Sequence, residues 1–334
     1  MIRTLLAVAL LCAVAGPVAA QSSVTLYGVM DANVTYGNGS LSHARRVGSS
    51  GLSGSRLGFR GSEDLGGGLR AIFTLEHGLN TDTGTQGGTQ FWNRQSYVGL
   101  SSDQWGTLVM GRADTPTFTV HLYNDAFGPQ GVAAQHVLLS SIEFAQPANI
   151  RASNAISYLS PAFKGFGVHA MTTAGEGAPG GYSGARLSYA ANGFGGDVAY
   201  ARFDNDAIGD LKALTIGARY KFGNLTVYGL FDRADSGTSF DTRGEQVSAS
   251  YLLDTTELRA SIAQSKRTSN AGADAGTSRR YGLGAVHYLS KRTALYATVA
   301  HVANRNGSAL ALNGATTAPN RGSNGMDLGI RHLF

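Results

Sequence analysis

The chain of 334 residues carries 27 lysines and arginines against 22 aspartates and glutamates, and charged residues make up only 15% of it. This mild excess, without a run of basic residues, argues against a nucleic-acid partner. Glycine contributes 46 residues and Tyr and Phe contribute 14 each. Glycine without a three-residue period excludes collagen, and the aromatic residues argue against disorder, so many short strands joined by glycine-rich turns remain.

The first twenty residues predict a cleaved secretory signal. Arg3 precedes an apolar run over residues 5–14, and small residues follow up to Ala20. This is the order of a basic region, an apolar region and a cleavage site, and the run is too short for a retained spanning helix. Cys12, the only cysteine, leaves with the signal, so the mature chain forms no disulfide. We expect residues 1–20 to be the signal and residues 21–334 to form one domain.

Apolar and polar residues alternate with a period of two along the rest of the chain. In the first such segment Leu26, Met30 and Val34 share one face, and Asp31 and Asn33 share the other. Because successive side chains of a strand point to opposite sides, each segment predicts a strand with one apolar and one polar face. We count about sixteen strands of roughly 8 to 11 residues, the length that a tilted strand needs to cross a bilayer. Alternation alone also fits a soluble β-sandwich, which buries one face as well.

Short connections alternate with long polar ones, which favours a membrane barrel over a sandwich. The short ones include glycine-rich turns near residues 64–68 and 160–165. The long polar stretches cover residues 37–54, 79–90, 113–150, 173–183, 204–212, 233–244, 267–278 and 303–324. Short periplasmic turns and long external loops are typical of bacterial outer-membrane barrels. The sequence therefore predicts an all-β, transmembrane antiparallel barrel of about sixteen strands, with no transmembrane helix after Ala20.

The last segment of the chain fits the closing strand of such a barrel. Leu328, Ile330, His332 and Phe334 fall on one face, and the final residue is aromatic. A membrane barrel places aromatic residues in a girdle at the membrane interface. An edge strand of a soluble sandwich remains the alternative for this segment taken alone.

Enzymatic motifs are missing from the sequence. It contains no His-Glu-x-x-His, no Gly-x-Ser-x-Gly and no phosphate-binding Gly-Lys-Ser/Thr. The glycines at 66–68 lie between two predicted strands and are typical of a turn. We therefore predict that the protein is not an enzyme and has no catalytic residue, no cofactor and no metal site.

Four stretches resemble Gram-negative general porins, in particular those of beta-proteobacteria. They are Ser23-Val-Thr-Leu-Tyr-Gly-Val-Met-Asp31, Ser55-Arg-Leu-Gly-Phe-Arg-Gly-Ser-Glu-Asp-Leu-Gly-Gly-Gly-Leu-Arg-Ala-Ile-Phe73, Asn93-Arg-Gln-Ser-Tyr-Val-Gly-Leu100 and Gly329-Ile-Arg-His-Leu-Phe334. They are spread over the whole mature chain. The resemblance implies a sixteen-stranded barrel, a homotrimer, and a third external loop folded inward to narrow the pore. It also implies that the barrel assembly machinery reads Phe334.

The longest predicted connection, residues 113–150, is the third external loop in this count. A structureless loop of this length is uncommon unless it is functional, and its apolar residues would give it a surface to pack inside the lumen. The alternative is an external loop that binds a partner. By its place in Tyr123-Asn-Asp-Ala-Phe-Gly128, Asp125 resembles the acid that porins present to the constriction, although the usual Pro-Glu-Phe-Gly is absent. Glu143 is a second acidic candidate.

Three arginines match the family's ladder on the barrel wall opposite that loop: Arg56, Arg94 and Arg151. Alternation independently places Arg56 on the lumen face with Arg60. It also groups Arg94 with Ser96 and Val98, and Arg151 with Ser153 and Ser157. A single arginine is usually an ordinary solvated charge. Three in one pore would focus the field on passing ions, so we predict that they form the constriction with Asp125.

Five further residues are secondary candidates for lining the pore. The arginines among them would line the vestibule, and the acids would neutralise neighbouring arginines. They are Arg60, Arg70, Arg112, Asp31 and Glu76, with Glu143 of the loop as a sixth.

These observations predict an outer-membrane general diffusion porin with a mild preference for anions. The partners that we expect are two further copies in a homotrimer, outer-membrane lipid and lipopolysaccharide, the barrel assembly machinery, and small hydrophilic solutes. A substrate-specific anion channel of the same fold is one alternative, although it would need a longer ladder of basic or aromatic residues. A barrel that acts as an adhesin or receptor through its external loops is the other.

Overall fold

The computed structural model describes residues 23–135, 150–175, 181–204, 210–236, 240–269 and 271–334. The predicted signal at 1–20 lies outside these residues and stays a prediction. Within the described part of the chain, no helix is long and apolar enough to cross a membrane.

Seventeen strand segments and one short helix make up the described chain. The strands are β1 (Ser23–Gly39), β2 (His43–Ser49), β3 (Arg56–Gly66), β4 (Leu69–Gly78), β5 (Gln95–Ser102), β6 (Gly106–Asp114), β7 (Arg151–Leu159), β8 (Phe166–Thr173), β9 (Tyr182–Ala191), β10 (Phe194–Phe203), β11 (Leu211–Phe222), β12 (Leu225–Asp235), β13 (Phe240–Leu253), β14 (Thr256–Ser269), β15 (Asp274–Tyr288), β16 (Thr293–Arg305) and β17 (Ser323–Leu333). The helix α1 (Pro116–Tyr123) follows β6.

The strands close into an antiparallel barrel because the first strand pairs with the last. β1 forms a ladder with β17 along one edge, from Val29 opposite Leu333 to Gly39 opposite Ser323. Its other edge pairs with two segments in turn, since residues 32–38 face β2 and residues 23–29 face β3. β2 and β3 are therefore two parts of one strand interrupted at residues 50–55, and the seventeen segments fill sixteen positions. This confirms the predicted sixteen-stranded barrel.

Three of the predicted long loops are largely β-hairpins. β1 and β2 are joined by residues 40–42 alone, β12 reaches Asp235 before β13 begins at Phe240, and β14 reaches Ser269 before β15 begins at Asp274. These stretches are rich in polar residues and were therefore predicted as loops. Backbone pairing does not require apolar side chains where both faces of a hairpin meet water, so the ladders continue through them.

The two faces of the strands have the expected composition. In β1 the side chains of Leu26, Met30 and Val34 are exposed on the outer surface, whereas Asp31 and Asn33 are buried on the inner side. The apolar outer row suits the membrane, and the polar inner row suits a lumen.

The third external loop begins with α1 and lies inside the barrel, as predicted. Thr115 caps the helix, since its Oγ1 accepts a hydrogen bond from the Phe118 backbone N–H at 3.2 Å. Pro116 occupies the first turn, where no backbone donor is lost. On the inner wall, Val120 packs with Ala199 of β10 and Leu230 of β12.

The loop continues along the inner wall from β10 to β17. The hydrogen bonds that tie it there include Asn124 Nδ2 to Asp197 Oδ2 (2.7 Å), Ala126 N to Ser248 Oγ (3.1 Å), Val132 N to Asp327 Oδ2 (2.8 Å), and Arg280 Nη1 to Ala134 O. Apolar contacts accompany these bonds, because Val132 and Ala133 are buried in one cluster with Ala300 and Val302 of β16. We call the inner faces of β8–β17 the anchoring wall.

Phe334 completes the closing seam between the ends of the chain. Its backbone N–H donates to Gly28 O at 3.2 Å, and its carbonyl accepts from Gly28 N–H at 3.1 Å. The ring covers Gly28 so closely that a Cβ atom there would lie 2.2 Å from the ring, and the side chain stays 44% exposed on the outer surface. A glycine at position 28 therefore makes room for the terminal aromatic.

Candidate functional site

Five charged side chains meet on the inner wall opposite α1. Arg56 begins β3, Arg94 immediately precedes β5, and Arg151 begins β7. Glu76 lies near the end of β4 and Asp114 ends β6. Because neighbouring strands are antiparallel, the start of one lies beside the end of the next, which brings all five to one level. We call this group the charged wall, its cations the wall arginines and its carboxylates the wall acids.

Each wall arginine is bound to a wall acid. The Glu76 carboxylate lies between Arg56, whose Nε is 3.3 Å from Oε2, and Arg94, whose Nε bonds Oε1. Arg151 Nε lies 2.7 Å from Asp114 Oδ1. Three positive and two negative charges leave one net positive charge on the wall. The side chains of the wall arginines remain 12–28% exposed, so that part of each guanidinium reaches the lumen.

A cavity of about 280 Å³ separates the charged wall from the third loop. On the loop side Phe118, Leu122, Pro129 and Gln130 line it. The Arg151 guanidinium carbon lies 5.9 Å from the centre of the Phe118 ring, within the range of a cation–π contact. A passing solute would therefore meet charge on one side and mainly apolar loop surface on the other.

Alternation predicted the correct face for Arg56, but it wrongly grouped Arg94 with Ser96 and Val98. Val98 is 63% exposed on the outer surface, and Gln95, not Ser96, points inward, where its Nε2 donates to Asp114 Oδ2 at 2.9 Å. β5 begins at Gln95, so Arg94 stands before the pleated strand and does not follow its alternation. Its side chain reaches Glu76 from the end of the preceding loop.

Asp125 does not lie with the wall arginines. It is 7% exposed, and both its oxygens accept from backbone N–H groups of its own loop, Oδ1 from Phe127 at 2.9 Å and Oδ2 from Gln135 at 2.8 Å. Burial raises the pKa of this carboxyl, while these two hydrogen bonds oppose the rise. The carboxylates that meet the arginines come from the wall itself. Glu143 lies outside the described residues.

The secondary candidates separate into two levels of the barrel. Arg112 lies beside the charged wall, with Nε donating to Asn93 O at 2.9 Å and Nη1 to Ser153 Oγ at 2.8 Å. Arg60 and Arg70 lie nearer the periplasmic turns. The exposed Arg60 guanidinium lies over the Tyr27 ring, and Arg70 pairs with Asp103 at 2.6 Å.

Asp31 binds backbone groups behind the charged wall and forms no salt bridge with an arginine of the described residues. Its buried carboxylate accepts three backbone N–H groups, from Gly51 at 3.2 Å, Leu52 at 2.9 Å and Ser53 at 2.7 Å. It also accepts the Tyr296 hydroxyl at 2.6 Å. These bonds fix the interruption between β2 and β3, which lines the cavity beside Arg56.

Sequence reasoning missed a second basic cluster inside the barrel. Arg186 of β9 binds Asp197 Oδ1 through Nε at 2.8 Å, and Arg219 of β11 lies 3.4 Å from its Oδ2. Both guanidinium groups lie over the ring of Tyr123 at the end of α1, at 5.3 and 5.7 Å from its centre. Alternation in β9–β11 could have placed the two arginines on the lumen face, but only the fold of the loop brings Tyr123 to them.

A closed barrel with an apolar outer surface, narrowed inside by a loop that faces fixed charges, is the architecture of a membrane diffusion channel. The Gram-negative porin family model matches residues 7–307. The chain belongs to this family, whose members are channels of the bacterial outer membrane, and the protein is an outer-membrane porin.

Individual relatives agree with the family. Outer membrane porin protein 32 of Delftia acidovorans is 34% identical over 99% of this chain and 99% of its own length. An outer membrane porin protein of Bordetella pertussis is 32% identical over 71% of this chain and 60% of its own. The solved anion-selective porin from Comamonas acidovorans superimposes with a TM-score of 0.84 and 31% identity, covering 94% of this chain and all of that one.

Proposed function

We propose that the protein is a general diffusion channel with a mild anion preference, and that the wall arginines set this preference at the constriction. The observation that carries the proposal is the charged wall, where three arginines share two carboxylates beside the cavity that the third loop narrows. The similar porin from Comamonas acidovorans is anion-selective, which supports the sign of the preference. No chemical step is required, and the channel has no enzymatic role.

The mechanism is electrostatic selection in a narrow, partly desolvated passage. At an effective dielectric constant near 20, a unit charge about 4 Å from an ion contributes roughly 4 kcal/mol before screening. Salt with a Debye length of about 8 Å reduces this energy without removing it. The wall acids offset most of the arginine charge, so a mild preference is expected where unopposed arginines would give a strong one.

The decisive experiment neutralises the three wall arginines and measures the zero-current potential in a KCl gradient. The triple variant Arg56→Gln, Arg94→Gln and Arg151→Gln leaves Glu76 and Asp114 without their arginine partners, so the potential should change sign toward cation preference. The matched control replaces three exposed arginines outside the cavity, Arg45, Arg202 and Arg305, with Gln and should keep the sign. Equal behaviour of the two triple variants would contradict the assignment.

A substrate-specific anion channel is the second candidate, and the Arg186–Arg219–Tyr123 cluster favours it. This cluster supplies basic and aromatic groups on a further part of the inner wall, which extends the path that an anion could follow. A general channel should conduct in proportion to solute concentration. A specific one should saturate, and Arg186→Gln with Arg219→Gln should then raise the concentration at half saturation.

The proposed partners and processing follow from the outer-membrane location. We propose that residues 1–20 direct export and are removed, that three copies assemble as a homotrimer, and that lipopolysaccharide and the barrel assembly machinery contact its surface.

Phe334 is the proposed assembly residue, supported by the exposure of its ring at the closing seam. Phe334→Asp should leave export intact but sharply reduce heat-modifiable oligomer in the outer membrane. Wild-type amounts of oligomer would show that Phe334 lacks this role.

A further inference from the structure

The described part of the third loop ends in a compact turn, residues 125–135, which we call the apex turn. Asp125 joins its two ends, because the carboxylate accepts the backbone N–H of Phe127 at 2.9 Å and that of Gln135 at 2.8 Å. Between these ends, residues 129–130 line the cavity that separates the loop from the charged wall. The position of the apex turn therefore affects the width of the passage.

Arg280 of β15 ties the apex turn to the barrel wall. This side chain is fully buried, and its Nη1 donates to the backbone carbonyl of Ala134 while its Nη2 donates to Gln246 Oε1 of β13 at 3.4 Å. At the other end of the turn, the Ala126 N–H donates to Ser248 Oγ of β13 at 3.1 Å. Gln246 Nε2 donates to the same hydroxyl oxygen at 3.3 Å. One hydrogen-bonded network on β13 and β15 thus holds both ends of the turn.

An arginine suits this position because its guanidinium group is planar and rigid. Two of its nitrogens reach acceptors on two different elements, the apex turn and β13, and so fix the distance between them. A lysine has a single nitrogen on a flexible stem and would not hold both acceptors in one arrangement. Burial of a cation is costly, and here these bonds and the charge of Asp125 offset the cost.

The charge of Arg280 is balanced inside the protein. Among the described residues, Asp125 is the opposite charge that acts on it, and both side chains are buried. Neither lines the cavity, whereas the wall arginines do. One positive and one negative charge, both removed from the lumen, give a passing ion little net field. Arg280 should therefore affect the size of the solutes that pass and not the sign of their charge.

We propose that Arg280 is a positioning residue of the constriction, which sets how far the apex turn projects into the pore and thereby the largest neutral solute that passes. Asp125 supports this role by joining the ends of the turn. The inference rests on the proposed diffusion channel and deepens it, because size selection and ion preference then depend on different residues. If Arg280 served only the folding of the barrel, its folded variants would keep the wild-type pore.

The test removes the network without changing the net charge, by the double variant Arg280→Gln with Asp125→Asn. Single-channel conductance is measured with neutral polyethylene glycols of increasing length, because a polymer that enters the pore lowers the conductance. A turn released from the wall should lean toward the cavity. The smallest excluded polymer should therefore shift to a smaller size and the current noise should rise, while the zero-current potential in a KCl gradient keeps its sign.

The matched control is Arg279→Gln with Asp241→Asn. It makes the same charge change on the same two strands as the network, at side chains that are exposed outside the lumen, since Arg279 is the exposed neighbour of Arg280 and Asp241 pairs with the exposed Arg233. This control should keep the wild-type size limit, current noise and zero-current potential.

Conductance is recorded only from samples that run as heat-modifiable oligomer, so that misfolded protein does not enter the comparison. If the double variant yields no folded barrel, Arg280→Lys decides, because it keeps the charge but does not hold Ala134 and Gln246 together. It should shift the size limit in the same direction by a smaller step. A wild-type size limit in the folded variant would overturn the proposal.

A second outcome would also overturn it. If the zero-current potential of the double variant moved as far as that of the triple wall-arginine variant, Arg280 would act through its charge and not through the position of the turn. An unchanged size limit, together with a sign change in the wall-arginine variant, would overturn this inference alone and leave the proposed function standing.

Discussion

The charged wall and the anchoring wall both lie on the inner face of the barrel, yet their polar side chains bind different partners. On the charged wall, Arg56, Arg94 and Arg151 stay partly exposed and bind acids of neighbouring strands. On the anchoring wall, Asp197, Asp232 and Asp327 are at most 3% exposed and bind the third loop or α1.

The difference arises from where the loop lies. The described part of the loop, up to residue 135, lies against the anchoring wall and needs buried partners there for its backbone and polar groups. The charged wall instead borders a cavity, where fixed charges can act on solutes. An inward polar residue therefore cannot be assigned to transport or to loop anchoring until the course of the loop is known.

The largest effect should come from removing a buried anchor. Asp197→Leu removes the acceptor of Asn124 and Arg186 and leaves the partly buried Arg186 without its buried partner, which costs at most the roughly 3 to 5 kcal/mol of a fully buried pair. The end of α1 should loosen, so that single-channel records become noisy and limited proteolysis cuts the loop. The matched control Asp103→Leu removes an acid of an exposed pair with Arg70 and should change neither measurement. If the single-channel current noise of both variants stays at the wild-type level, Asp197 does not hold the loop.

An intermediate effect should follow from removing the wall acids. Glu76→Gln with Asp114→Asn raises the net charge of the charged wall from one positive charge to three. Anion preference should increase in the zero-current potential, while the loop stays in place and the current noise stays at the wild-type level. Asp204→Asn with Asp210→Asn, which removes two acids beside the exposed Arg202, is the control. An unchanged preference in the wall variant would mean that these carboxylates do not oppose the arginines.

The regular part of the molecule could be predicted from the sequence, and the site only partly. Period-two alternation identified the strands and put Arg56 and Glu76 on the lumen face, because strand geometry alone fixes that face. It failed for Arg94, which stands just before its strand. It could not show that the carboxylate of Asp125 is used inside its own loop, since those partners are backbone groups that only the fold brings together. Residues 43–49 were predicted as part of an external loop, so the strand β2 and its pairing with β1 were missed.

The smallest effect should come from the support behind the charged wall. Tyr296→Phe removes one hydrogen bond to Asp31 but leaves the three backbone donors of residues 51–53 in place. A hydrogen bond to a carboxylate contributes about 1.5 to 3 kcal/mol, but three backbone donors remain, so the segment should shift only slightly and the zero-current potential should move by less than in the wall-acid variant. Asp31→Leu removes all four bonds and should move the potential further, because Gly54 O supports Arg56 Nη1 at 3.0 Å. A larger shift of the zero-current potential in Asp31→Leu than in Tyr296→Phe would show that the wall arginines depend on Asp31 for their position. Equal potentials in both variants and the wild type would limit Asp31 to folding of the strand interruption.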